Sequence, residues 1–335
     1  MIKNQKKILI KKSRLNQQVK EINEAIPDEL SSHKFTVDFV GYALAQYKDK
    51  FFENKQLKDS EICRNFLQSC IIPRLKISPW DASFCAKLMM KFHAINIPRY
   101  ALALHLDYVF KYSFQILSTL TELESRNFGI FMNEMLKSIN CWHASKSKFT
   151  EEFANSTSYN ISLRKSSNVK INEDEDVEET SKPSTTHKDS TSKEDTRMEH
   201  ENFRRICFKW HQCLTKAVLG ALNSDSSFLM RSALMFLQEI VQFYPLVANF
   251  GADIEHKIKN IILNEKDKRK DIFTLATAYS GILLRFKSKW QSEDHFCLKS
   301  SNQSSSSSDK SSKRYSLGYN LNINFNFGSY FLHLS

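Results

Sequence analysis

The chain has 335 residues, enough for one large or two moderate domains, yet only 7 glycines and 6 prolines, too few for the tight turns of a many-stranded fold. Its 48 Lys and Arg against 37 Asp and Glu leave a net charge of +11, compatible with a polyanionic partner, and no run approaches the ~20 apolar residues that a membrane helix needs. Seven cysteines without a CxxC pair fit buried thiols in a reducing compartment, and MIKNQKKILIKK at the amino terminus has too short an apolar core for a signal peptide.

These numbers predict an all-α protein: antiparallel helices joined by short turns in an α-solenoid or irregular helical-repeat arrangement, with a disordered insertion and a disordered tail. Residues 1–34 read as a basic helical lead-in. Lys3, Lys6, Lys7, Lys11, Lys12, Arg14 and Lys20 precede the first acid, Glu21, and Pro27 is expected to interrupt the helix. Residues 35–154 form the first half of the helical region. Phe35, Phe39, Tyr42, Ala43, Leu44, Tyr47 and Phe51 predict one amphipathic helix, and a second, from Ser60, is expected to end at Pro73. Ser78, Pro79 and Asp81 mark the start of a third, with Phe84, Cys85, Leu88, Met89 and Phe92 inward, ending near Asn96. Tyr100 to Leu120 is apolar nearly all round, as buried helices are. Thr121 and Glu124 make a capping box for a helix running to about Ala144.

Residues 155–198 are rich in Ser, Thr, Asn and acids, and cannot bury enough surface to offset the ordering entropy, about 1–2 kcal/mol per residue. They are expected to be a disordered, solvated spacer, with electrostatic fold-back onto the basic carboxyl half as the alternative. Residues 199–290 form the second helical half. In ENFRRICFKWHQCLTKAVLGAL, Phe203, Ile206, Trp210, Leu214, Ala217 and Ala221 share one stripe, while Arg205, Lys209, Gln212 and Lys216 share the opposite one. Three further helices are predicted: one capped by Ser224 or Asp225 and stopped before Pro245, one over 246–263, and one carrying Ile272, Leu275, Ala276, Tyr279 and Leu283 inward. Residues 291–335 are expected to be a serine-rich tail, with a strand-like alternation from Tyr319 to Phe327.

No sequence pattern calls for catalysis or a cofactor: GxxxxGK[ST], GxGxxG, HExxH and GxSxG are all missing. Cys207 and His211 are one helical turn apart and invite a metal reading, but Cys213 points elsewhere, so buried thiols and a helix-surface histidine are expected instead. His93 and His143 read as structural. The functional candidate is a basic surface of the second half, comprising Arg205, Lys209, Lys216, Lys257, Lys259, Lys266, Lys268, Arg269, Lys270, Arg285, Lys287 and Lys289. Such groups neutralise phosphates without reading sequence; the alternative is a solvated face with Glu265 and Asp267 as local ion pairs.

Four strings carry a resemblance. CIIPRLKISPWDASFCAKL (Cys70 to Leu88), ESRNFGIFMNEML with CWHA (Glu124 to Ala144), HENFRRICFKWHQCLTKA (His200 to Ala217) and NEKDKRKDIFTLATAYSGILLRFKS (Asn264 to Ser288) closely resemble, in this order, the carboxyl-terminal conserved region of the THO complex subunit 2 family. The resemblance implies a nuclear, non-catalytic helical scaffold within the THO core of TREX, coupling transcription to mRNA packaging and export. It also implies other THO subunits and a DEAD-box RNA helicase as partners. Family members are far longer, so the chain reads as a carboxyl-terminal fragment, a separately encoded piece or a truncated gene. Many of them end in a Lys-rich tail, whereas Ser300 to Ser335 is serine-rich. A direct RNA- or DNA-binding helical module acting outside THO is the alternative.

Overall fold

A computed structural model describes residues 2–53, 55–154 and 198–296, and the expectations for 155–197 and 297–335 lie outside these residues. The described residues are all-α, with no strand beyond an isolated bridge between Val247 and Gln291.

The expected break at Pro27 does not occur. Helix α1 runs from Ile2 to Gln46 with Pro27 inside it. Proline's fixed φ suits a helix, and its cost is one lost hydrogen bond plus crowding of the preceding turn, which the long runs of helix on either side can bear. The residues expected to face a core here do not: Phe35, Phe39 and Tyr42 are 72%, 61% and 65% exposed. Periodicity correctly finds an apolar stripe, but α1 reaches the helical body only at its end. There Leu44 packs on the core and Gly41 lies so close to Lys91 that a Cβ would sit 2.6 Å from its Nζ.

Helix α2 (Asp59–Phe66) leads through a π turn (Leu67–Ile71) into α3 (Ile72–Leu75). Pro73 therefore lies within the helical path rather than ending it. The Ile72 N–H has already moved to the Leu67 carbonyl, so the hydrogen-bond ladder has changed register where proline withdraws a donor. Helix α4 (Pro79–Ala94) starts as its cap residues dictate: the Asp81 N–H donates to Ser78 Oγ at 3.1 Å, and that hydroxyl donates to Asp81 Oδ2 at 2.7 Å. Cys85, Met89 and Phe92 face inward, whereas Phe84 is 45% exposed beneath the Arg74 guanidinium, 4.8 Å from its ring centre. The chain turns into α5 (Leu102–Lys111) and α6 (Ser113–Thr119) through two left-handed residues, Asn96 and Arg99. Arg99 is tied to Asp59 at 2.9 Å and to the carbonyl of Leu57.

Helix α7 (Glu122–Ala144) opens with the Thr121–Glu124 capping box, each residue satisfying the other's backbone amide. It is the spine of the molecule, packing on α4 on one side and on α10 (Ser227–Ile240) on the other. Gly129 makes the second contact possible, because a Cβ there would meet Glu239 Cβ at 2.8 Å and the Phe236 carbonyl oxygen at 3.0 Å. The spine ends in α8 (Lys146–Phe149) and a π turn (Thr150–Ala154). Trp142 donates to Glu152 at 2.7 Å and holds this turn in place.

Helix α9 (His200–Leu222) packs against α5, α6, α7, α10 and α11 (Ala248–Glu265). The cap of α10 is Ser226 rather than Ser224 or Asp225. Ser224 instead accepts from the Ser226 N–H, forming the turn that delivers the cap. Helix α12 (Lys270–Phe286) covers α10 and α11. The packed chain continues past 290, within the stretch expected to be tail. Gln291 exchanges backbone hydrogen bonds with Leu246 and Ala248, the Trp290 indole lies over Gly251, and Phe296 is fully buried.

Candidate interaction surfaces

Helix α9 is built as its composition requires, with one face for protein and one for water. Phe203 is fully buried among Trp142, Phe149 and Phe153, with ring centres 6.3, 4.9 and 4.9 Å away. Trp210 stacks on Phe110 at 5.3 Å and donates its indole N–H to Asp107 at 3.1 Å, so its one polar group is satisfied where the ring is buried. Leu214, Ala217 and Ala221 continue the seam, and Ile206 is half-buried at its edge. On the other face Arg205, Lys209 and Lys216 are exposed and Gln212 is half-buried.

His211 corrects the sequence expectation. It is not on the helix surface but 1% exposed, stacked on Tyr244 at 5.7 Å and against Phe296 at 5.9 Å. The wide apolar face of α9 takes in the histidine because α10, α11 and the chain after α12 cover a second side of the helix. Below it, Thr215 donates to the His211 carbonyl at 2.7 Å, so the Tyr244 hydroxyl donates to Thr215, also at 2.7 Å. Burial pushes the His211 imidazole down to about 3 and the Cys207 thiol well above its usual range. A thiol held in its protonated form is a poor ligand. Cys213 lies on the flank beside Lys216, Asp107 and Lys111, away from the buried Cys207.

The remaining predicted cations fall into separate groups rather than one patch. Lys266, Lys268 and Lys270 are exposed in the turn between α11 and α12, with Asp267 among them. Arg269 in the same turn is committed to structure: it clamps the buried Glu265 with two bonds of 2.6 and 2.7 Å and holds that carboxyl below its usual range. Lys259 and Lys287 both contact Glu255 at 2.7 Å, and so present one net positive charge between them. Lys287 also lies 5.3 Å from the Trp290 ring centre, and Lys289 lies 4.8 Å from that of Phe286. Lys257 is half-buried, and desolvation lowers its ammonium. Arg285 is exposed near the end of α12. Sequence reasoning missed Lys111, which joins Lys216 and Lys209 around Cys213. Its only signal is a lysine ending an apolar helix, and nothing in the sequence says that α5 lies beside α9.

The family described as Transcription factor/nuclear export subunit protein 2 (Tho2) matches residues 2–283. The chain belongs to this family. It is similar to THO complex subunit 2 of Mus musculus, 31% identical over 249 residues covering 74% of this chain and 14% of the mouse protein. The same-named protein of Arabidopsis thaliana is 23% identical over 88% of this chain and 14% of its own length. That of Saccharomyces cerevisiae is 20% identical over 75% and 12%. The chain thus spans about one seventh of the length of the curated relatives it matches. The Tho2 match runs through α1, the α7 spine and nearly all of α12, so the seam around Phe203 and Trp210 lies within it. No described helix is long and apolar enough to cross a membrane.

Proposed function

We propose that this chain is a non-catalytic scaffold segment of a THO complex in the nucleus, where it serves transcription-coupled mRNA packaging and export through contacts with other THO subunits and a DEAD-box RNA helicase. The observation that carries this reading is the Tho2 match over residues 2–283. Protein contact is favoured over RNA as the main role by the charge arrangement. The cations are dispersed, Glu255 cancels half of one group, and Arg269 is spent on Glu265. Two exposed groups remain, Arg205, Lys209 and Lys216 on α9 and Lys266, Lys268 and Lys270 in the α11–α12 turn. Each group neutralises about three phosphates, for a logarithmic salt slope of only about −2 to −3 per group, which is auxiliary, sequence-independent attraction.

The test combines affinity purification of the tagged chain with an RNA titration across salt. Recovery of THO subunits, with weak RNA binding that falls further when Lys266, Lys268 and Lys270 are changed to Glu, is the expected result. Tight RNA binding with a steep salt slope and no THO subunits recovered would replace this reading with a direct nucleic-acid-binding module.

A further inference from the structure

The exposed side of α9 continues onto α5 and α2. Around Cys213 it meets α5, where Lys111 joins Lys209 and Lys216. Tyr108 lies one turn before Lys111 and Tyr112 one turn after Tyr108, so all three share one side of α5. The two tyrosine rings are half-buried and in contact, with centres 4.5 Å apart. On the far side Gln68 of α2 donates to the Tyr108 hydroxyl at 3.0 Å, and Arg64, one turn earlier on α2, lies within electrostatic reach of that hydroxyl. Two tyrosines are thus flanked by cations from three helices.

Arg64, Lys111, Lys209 and Lys216 are all exposed. The acids beside them are already committed: Asp107 accepts the Trp210 indole N–H at 3.1 Å, and Glu61, one turn before Arg64, accepts the Lys58 N–H at 2.9 Å. Lys111 Nζ rests 5.6 Å from the Tyr112 ring centre. A flexible cation over an aromatic face is a contact that a nucleobase can replace while the ammonium swings to the adjoining phosphate. None of the large apolar side chains exposed among the described residues lies on α2, α5 or α9, and lysine is the commonest cation here, which protein interfaces disfavour. We propose that this surface grips single-stranded RNA, with Tyr108 and Tyr112 as stacking rings and the four cations on the phosphates either side. It rests on the auxiliary RNA contact proposed above and adds what phosphate attraction lacks, a preference for unpaired bases, whose faces are open, over a duplex, whose faces cover one another.

The test is anisotropy of a labelled oligouridine of about 12 nucleotides, titrated with the full chain between about 50 and 200 mM salt. Y108A/Y112A is expected to bind about tenfold more weakly or worse at every salt concentration with the salt slope unchanged, and Y108F/Y112F to bind as the original does. K111Q/K216Q keeps both rings and is expected to reduce the magnitude of the slope by about 1.4. Paired with oligoadenine, the same strand is expected to bind about tenfold more weakly than when single. A 4-thiouridine version of the oligonucleotide, irradiated on the unaltered chain, is expected to crosslink at Tyr108 or Tyr112. The crosslinks and the K111Q/K216Q variant decide the question should the alanine pair not fold. A folded alanine pair that binds as tightly as the original, a duplex bound as tightly as the single strand, or crosslinks confined to other surfaces such as the α11–α12 turn would overturn the stacking site while leaving the phosphate attraction and the THO reading in place. No RNA binding at all would overturn the auxiliary contact with it.

Discussion

His211 is enclosed by Tyr244 and Phe296, and neither ring nitrogen has a hydrogen-bond partner among the described residues. A proton placed there has no acceptor to offset its desolvation. His93 and His105 are likewise held down to about 4 by burial, opposed only by their bonds to the Glu152 and Ala101 carbonyls. His143 is held to about 4 by burial and then by the nearby Arg204, His200 and His295. All four values lie below the usual imidazole value of about 6.5, so the unfolded chain takes up protons before the folded one does. Their contribution is complete above pH ~6.5 and is lost as pH falls from there toward 4. Each histidine accounts for up to about 1.4 kcal/mol per pH unit within that window. Replacing His211 with Leu should therefore flatten the decline in urea-melt stability between pH 7 and pH 5. An unchanged slope would show that His211 is protonated without penalty.

The contact between α7 and α10 rests on Gly129, where any larger residue meets the backbone of α10 rather than a movable side-chain tip. Gly129→Ala normally gains helix propensity, about 1 kcal/mol, but here it should cost about 1–3 kcal/mol in chemical denaturation because α10 must back away. A variant as stable as the original would mean that the helices slide freely. Elements of this kind were unequally legible in the sequence. Caps are local chemistry, so Ser78 with Asp81 and Thr121 with Glu124 mark their helices correctly, and the buried face of α7 and the Phe203–Trp210 seam of α9 follow from spacing, whereas the second buried side of α9, with His211, does not. Pro27 and Pro73 misled, because whether a proline stops a helix depends on the register and length of the turns around it. The exposure of Phe35 and Phe39 was invisible, since periodicity says which residues share a side but not whether anything covers it. The candidate cations were legible as types. That Glu255 bonds Lys287, 32 residues further along the sequence, as well as its neighbour Lys259 is a property of the packing of α11 beside the end of α12.

The two helical halves of the sequence do not make two cores. The buried cluster runs continuously from Cys63 through Trp142, Phe203 and Phe236 to Phe296. The chain cut after residue 154 would lose the cover of α10 over α7 and of Phe203 over Trp142, leaving wide apolar faces bare. Residues 2–154 expressed alone should be expanded and dye-binding, with helical far-UV signal but weak near-UV signal. A compact monomer that melts sharply would show that the first half holds a core of its own. The ties across the halves also bear on how quickly the chain can reach this state. Trp210 meets Asp107 across 103 positions, Asn140 meets Phe243 across 103, and Arg126 meets Glu239 across 113. Helical proteins usually fold quickly because their contacts are local. Here the spine helix acquires its second wall only after loops of about a hundred residues have closed, and that entropic cost precedes any reward from packing. The secondary structure therefore belongs to a fast-folding class, while the order in which its walls assemble belongs to a slow one.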